Sequence, residues 1–296
     1  MHVTVCICTY KRPECLRRLL EKLSLQETEG LFSFSIVVAD NDSEQSARAV
    51  VTEFAETSPV EVIYCLERQQ NIALARNRAL ENAKGDFVAL IDDDELPIQN
   101  WLLILFKACE AYQVDGVLGP VKPHFEQQPP KWVTKGKFYD RPSYETGLII
   151  DWRKGRTGNT LLKRCILDVS EQAFRPEFRT GEDQDFFRRM IERGHKFVWC
   201  HEALAYEVVA PQRWKLSFLL RRALLQGKVS PLHPGFGLQH VARSAIAVML
   251  YAVALPFLAV VGRHLFMRYL VKMFHHLGKI LGVLGFNPIR ESYITE

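Results

Sequence analysis

The sequence predicts an α/β fold, a mostly parallel central sheet with helices on both faces, and three observations carry that expectation. Short apolar runs alternate with stretches of helical period over the first 120 residues. The runs are apolar almost throughout rather than alternating with polar residues, as in strands buried on both faces. Each run also ends in a polar cluster, and open parallel sheets bind ligands beyond the carboxyl ends of their strands.

Taken in order, HVTVCIC is the first strand. PECLRRLLEKLSLQE follows as a helix, with apolar residues at 16, 19, 20 and 23 and Pro13 at its start. FSIVVAD is the second strand and SEQSARAVVTEFAE the second helix, with Ser43 as its N-cap. VEVIYCL is the third strand, and NIALARNRALENAKG is a helix closed by Gly85. DFVALI, then the helix PIQNWLLILFKACEAY, then the short strand DGVLGPV complete this half. Residues 120–147 lack either period and read as a long ordered loop. Its Trp132, Phe138 and Tyr144 either offer stacking surfaces or pin the loop down. FRTGEDQDFFRRMIERG reads as a helix with an acidic start, KFVWC and ALAYEVVA as strands, and WKLSFLLRRALLQGK as an amphipathic helix.

Composition narrows the function. The chain has 296 residues, 48% hydrophobic, and a net charge of +4, too small for a dedicated nucleic-acid binder. No basic region with a long apolar core opens the chain, so no secretory signal is expected. Seven cysteines without paired CxxC spacing read as reduced thiols in a cytosolic setting. The charge is unevenly spread: no Asp or Glu lies between Glu207 and Glu291, an interval with eleven Lys and Arg, Arg290 the last of them. Within it, residues 244–262 are uncharged and, as a helix, about 28 Å long, close to a bilayer core. Pro256 would kink that helix. His264, Arg268, Lys272, His275 or His276, and Lys279 then form a basic helical face. A membrane surface is the expected partner of this tail, with bases on both sides of the apolar run favouring a re-entrant segment or a monotopic anchor over a span.

The chemistry centres on FVALIDDDELP. Asp92, Asp93, Asp94 and Glu95 in succession repel one another, by roughly 3 kcal/mol for a pair about 5 Å apart at an effective dielectric near 20. Hard carboxylate oxygens at a strand end suit Mg²⁺ or Mn²⁺, which keep part of their shell for substrate phosphates. A helix N-terminus also favours acids, but accounts for one better than for four.

With CICTYKRP, VVADNDS, QQNIALARNRAL and GEDQDFF in the same order, the chain resembles the family 2 glycosyltransferases, inverting nucleotide-sugar enzymes with the GT-A fold, over about residues 1–230. TGNTLLKR and EVVAPQRWKLSFLLRRALLQG are most similar to the subgroup acting on bacterial surface polysaccharides and glycolipids. The resemblance implies a catalytic domain over 1–230, its nucleotide-binding half at 1–120 and acceptor half at 121–230, with a membrane-anchoring tail at 238–296. It implies that Thr9, Tyr10 and Asp40 line the base and ribose pocket, with Asp42 shaping the same loop. Arg76 and Asn77 would support the donor side, Asp92 would contact the ribose, and Asp94 would hold Mn²⁺ or Mg²⁺ at the diphosphate. Turn chemistry explains Asp40 and Asp42 equally well. The catalytic base falls on Asp183, with Glu182 as the alternative or as an acceptor contact, and Asp185 as a cap. QRW differs in spacing from the QxxRW of processive members, which favours a single addition. The expected activity is transfer from a UDP-sugar to a lipid-linked glycan or polysaccharide precursor at the cytoplasmic face of the inner membrane. Rivals are an inactive sugar-nucleotide-binding scaffold and a nucleotidyltransferase, the latter disfavoured because TYKRPE has no glycine-rich phosphate loop.

Overall fold

The computed structural model describes residues 1–167, 172–178, 180–232 and 235–286; Arg290 and the end of the tail, 287–296, lie outside the described residues. The elements run β1 (His2–Thr9), α1 (Pro13–Ser24), β2 (Ser33–Asp40), α2 (Arg48–Thr57), β3 (Val62–Leu66), α3 (Ile72–Asn82), β4 (Phe87–Asp92) and β5 (Glu95–Pro97). They continue with α4 (Trp101–Tyr112), β6 (Gly116–Leu118), β7 (Val121–His124), α5 (Lys131–Lys135), β8 (Thr160–Lys163), α6 (Glu182–Glu192), β9 (Phe197–Trp199) and β10 (Ala205–Val208). Three helices follow: α7 (Leu216–Val229), α8 (Leu238–Val261) and α9 (Arg263–Val283). The chain divides into two compact units, Met1–His124 with Arg141–Val208, and Phe125–Asp140 with Val209–Glu296. This sets α7 and residues 125–140 with the tail, where the sequence reading groups them with the first 230 residues.

The first unit is built on a seven-stranded sheet of order β3-β2-β1-β4-β8-β6-β9. Its pairings are parallel except at β8, which runs antiparallel between β4 and β6. The pleat sends alternate residues to opposite faces. Val3, Val5 and Ile7 of β1 meet Leu16, Leu19, Leu20 and Leu23 of α1 on one face, and Cys6 lies among Ala73 and Ala79 of α3 on the other. Burying each of those leucines contributes roughly 1.5–3 kcal/mol. Register then positions the chemistry: Thr9 pairs with Asp40 and Cys8 with Asp92, so the polar residues after β1, β2 and β4 emerge at one edge.

Several boundaries differ from expectation for local reasons. DGVLGPV splits into β6 and β7, the latter in a separate three-stranded sheet of order β5-β10-β7. Pairing with β10 draws Glu95–Pro97 into that sheet, so α4 begins at Trp101 rather than Pro97. α2 begins at Arg48 and not after Ser43, because Asp40 accepts the Asp42 and Ala47 N–H groups and holds the intervening residues in a turn. A buried polar knot closes the β6–β7 side. Fully buried Asn159, at φ 59°, accepts from Trp101 Nε1 at 2.7 Å and donates to the Pro120 and Ala203 carbonyls at 2.8 and 2.7 Å. Asn159→Ala leaves the Trp101 indole N–H and the Ala203 carbonyl unpaired in the core, while the Pro120 carbonyl keeps the Ala205 N–H at 3.1 Å, and is expected to cost about 3 kcal/mol. Urea denaturation measures it, and a loss within about 0.5 kcal/mol would show the knot to be dispensable.

In the second unit, Trp132, Val133, Tyr139, Val209, Leu219 and Met267 form a core. Trp132 and Phe138 meet edge to face at 5.3 Å, so of the two readings of the loop aromatics it is pinning that the packing shows for them. Arg213 of QRW is buried against the Tyr139 and Phe218 rings. α7 and α9 approach closely through glycines: a Cβ on Gly278 would fall 2.3 Å from the Leu224 carbonyl oxygen, so only glycine fits there. α8 passes through Pro256 without ending and is, among the described residues, the one helix long and apolar enough to cross a membrane.

Candidate active site

The acids that end β4 find their counter-charges within the chain. Arg12 Nη1 stands 3.2 Å from Asp93 Oδ1 and 3.1 Å from Asp94 Oδ2. Thr9 Oγ1 donates to the other Asp93 oxygen at 2.8 Å. Burial nevertheless pushes the Asp93 carboxyl up to about 7, against the pull of Arg12. Two residues further on, Glu95 has no exposed surface, and β-sheet register places it opposite Glu207 of β10. Arg141 bridges this like-charged pair, 2.6 Å from Glu207 Oε2 and 3.4 Å from Glu95 Oε1. Burial, then the Asp92 charge, still raises Glu95 well above the ordinary carboxylate range. The TGN segment closes over these acids. A Cβ on Gly158 would lie 2.7 Å from Glu95 Oε1 and 3.2 Å from Asp92 Oδ2, which is why a glycine stands there.

The second half of the site is the N-terminus of α6. Arg76, buried on α3, bonds Glu182 through Nη1 and reaches Asp92 Oδ1 through Nη2 at 3.4 Å. Its guanidinium also lies 5.6 Å from the Phe174 ring centre. A single arginine thereby ties the end of β4 to the start of α6. Asn77 completes the brace, donating to the Phe174 carbonyl at 2.7 Å and accepting from its N–H at 2.9 Å. Asp183 is half-buried, and its Oδ1 accepts from the Gln184 N–H at 2.7 Å. Burial raises its carboxyl, while Arg76 and, more weakly, Arg156 oppose the rise. Asp185 is instead locked by Arg175, Arg189 and Arg188, as a structural anchor rather than a simple cap.

Burial raises Glu182 from 4.5 to about 7, with Arg76 opposing and Asp183 adding to the rise. The folded chain thus binds this proton more tightly than the unfolded one does. Its stabilisation is fully present below 4.5 and is lost as pH rises through about 7. The stability difference between wild type and Glu182→Gln is therefore expected to move in favour of the variant across that window. Denaturation midpoints over a pH series read it; a difference independent of pH would contradict it.

Of the residues singled out in the sequence, Arg76, Asp92, Glu182 and Asp183 share one charge cluster, and Thr9 and Asp94 join it through Asp93 and Arg12. Asp40 has no exposed surface; its two oxygens take the Asp42 and Ala47 N–H groups and the Tyr64 hydroxyl, which is the turn role. Asp42 is buried and accepts from the Glu44 N–H, in the same turn. Tyr10 is half-buried at the β1 end with Lys11 Nζ 5.4 Å from its ring centre. Asn77 acts on the 172–178 segment, not on an open surface. The sequence reading passes over Arg12, Arg141 and Arg156; TYKRP contains the first and TGNTLLKR directly follows the last, whereas Arg141, in the loop 120–147, stands beside no motif.

Carboxylates still outnumber guanidiniums here, and the oxygens of Asp92 and Asp94 are hard donors suited to a divalent cation. The buried Thr157 hydroxyl, without a hydrogen-bond partner among the described residues, adjoins Gly158. No group of three His, Cys, Asp or Glu is arranged to hold a metal among the described residues, so the protein would supply one or two oxygens and a ligand phosphate the rest. The residues fit such an ion, and Asp94 would share its carboxylate between it and Arg12.

The sequence matches the model of glycosyl transferase family 2 over residues 4–177. It is 32% identical over 307 residues to the succinoglycan biosynthesis protein ExoM of Rhizobium meliloti, covering 100% of this chain and 97% of that protein. The similarity to glycosyltransferase AglE of Haloferax volcanii is 24% over 212 residues, 71% of this chain and 67% of that one. Among solved structures, mannosyltransferase PcManGT from Pyrobaculum calidifontis, in complex with GDP-Man and Mn²⁺, has a TM-score of 0.64 at 19% identity, over 96% of this chain and 87% of that one. S. aureus TarS 1–349 in complex with UDP has a TM-score of 0.56 at 16% identity, over 98% and 93%. These structural likenesses establish the GT-A fold.

Proposed function

The chain belongs to glycosyl transferase family 2, and from that premise we propose that it transfers one sugar, with inversion, from a nucleoside diphosphate donor to a lipid-linked glycan or polysaccharide precursor. The observation that carries the reading is the Arg76 brace, which couples Asp92 at the end of β4 to Glu182 and Asp183 at the start of α6. In a direct displacement, Asp183 takes the proton of the acceptor hydroxyl as its oxygen attacks the anomeric carbon and the nucleoside diphosphate departs. Asp92 contacts the donor ribose. Thr9 and Tyr10, with the turn shaped by Asp40 and Asp42, form the floor beneath the base. A bound Mn²⁺ or Mg²⁺, held by Asp94, would neutralise the leaving diphosphate. Arg76 keeps Asp183 beside the donor, and Arg156 offers a second positive charge on the acceptor side.

UDP as donor nucleotide is supported by the TarS complex with UDP, and the metal by the PcManGT complex with GDP-Man and Mn²⁺. The polysaccharide acceptor is supported by the full-length similarity to ExoM. α8 and the base-rich tail support residence on the cytoplasmic face of the membrane, where a lipid-linked acceptor is presented. Calorimetry with UDP tests the donor half. Binding is expected to tighten at least about tenfold with Mn²⁺ in wild type and to lose that dependence in Asp94→Ala. UDP binding indifferent to Mn²⁺ would sink the metal assignment.

A further inference from the structure

The tail's apolar helix does not stand by itself. Gly262 alone separates α8 from α9. Ser244 Oγ lies 3.1 Å from His276 Nδ1, and the Tyr251 and Tyr269 rings meet at 5.5 Å. Contacts that step forward along α8 therefore step backward along α9, and the two helices form an antiparallel hairpin. Beside the Tyr269 contact α9 carries Arg268, and between the two contacts Lys272, both exposed and one turn apart, alongside the midpoint of α8.

That placement decides the topology. Were α8 to cross a bilayer, α9 would cross beside it and hold Arg268 and Lys272 near the hydrocarbon centre. No Asp or Glu lies between Glu207 and Glu291 to pair with them. Lys272 Nζ lies 5.0 Å from the Tyr269 ring centre, which does not neutralise it, and exposed bases without an acid beside them at that depth are strongly disfavoured. The C-terminal half of α9 is also packed on α7, where Gly227 and Gly278 meet, so lipid cannot surround it. α8 meanwhile presents Met249, Leu250, Val253, Phe257, Val260 and Val261 to the outside, all at least 61% exposed and within about a third of the helix circumference.

We infer that the α8–α9 hairpin docks flat on one anionic leaflet, the exposed face of α8 sinking among the acyl chains and Arg268 and Lys272 binding lipid phosphates. The partner is the surface of a phospholipid bilayer, held by one apolar helix face and one basic stripe. This rests on the membrane association proposed above and excludes both a span and a re-entrant turn.

The full chain expressed in bacteria tests it through Arg263→Cys, at the hairpin turn, labelled with a membrane-impermeant maleimide and compared with wild type. Labelling in inverted inner-membrane vesicles but not in spheroplasts is expected. Labelling from the spheroplast exterior overturns the inference in favour of a span, and labelling from neither side overturns it in favour of a buried, re-entrant turn. In parallel, the purified chain is floated with vesicles containing phosphatidylglycerol or phosphatidylcholine alone. Arg268→Glu/Lys272→Glu should weaken flotation on the anionic vesicles roughly twentyfold or more with its melting curve unchanged. Flotation indifferent to lipid charge and to this variant overturns the phosphate contact. A chain that floats with neither vesicle and stays in the soluble fraction overturns the membrane reading itself, a separate failure from the three above.

Discussion

Asp183→Asn is expected to lower sugar transfer by about a thousandfold, within the range seen on removing a general base, while UDP binding changes by less than about twofold. The asparagine keeps the size of the side chain and can still accept from the Gln184 N–H, so fold and donor site are preserved and the proton acceptor is lost. Raised by burial and opposed by Arg76, Asp183 sits nearer to neutral pH than a free aspartate does, which suits a group that must take a proton and later release it. Glu182 is the control. Its carboxylate is committed to Arg76 and is buried, so Glu182→Gln should reduce transfer less than Asp183→Asn does. The reverse ranking in steady-state kinetics would move the base to Glu182.

Arg76→Ala is expected to cost about 3 kcal/mol of stability, because it strips a buried carboxylate of its partner and leaves Glu182 beside Asp183. Transfer should fall with it, since the charged bridge from Asp92 to Glu182 is cut. Arg76→Lys separates the two effects. A lysine restores a charge but cannot span Glu182 and Asp92 with two rigid nitrogens as the guanidinium does. Most of the stability should return while kcat stays depressed. Thermal melting and kinetics on both variants read this, and full activity in Arg76→Lys would show that charge alone, not the bridge, is what the site uses.

The sequence was legible where physics is local. β1, β2, β3, β4 and α1 follow from short apolar runs and a helical period, and the core residues of α1 are the four its spacing names. β8 was not legible: TLLK is four residues long, and it becomes a strand only because it fits between β4 and β6. Ser43 looked like a helix cap, yet Asp40, further back in the chain, holds the turn through longer hydrogen-bonded reach. The acid run showed the same limit. Its repulsion could be read from DDDE, but the compensating charges lie 81 positions away in Arg12, 16 in Arg76 and 46 in Arg141. Pairing at that separation is set by sheet order, which no local pattern encodes. A metal ion was the expected counter-charge; the chain supplies three arginines first, and any cation joins them.

In the proposed reaction Asp92, Asp94 and Asp183 together move a sugar from a nucleoside diphosphate to a lipid-linked acceptor. Mass spectrometry of a lipid-linked glycan fraction, after incubation with the full-length protein, a panel of UDP-sugars and Mn²⁺, tests it most directly. The expected product is the acceptor heavier by one sugar, absent with Asp183→Asn and with chelator. An acceptor unchanged in mass with every donor, or a gain that persists in Asp183→Asn, would contradict it.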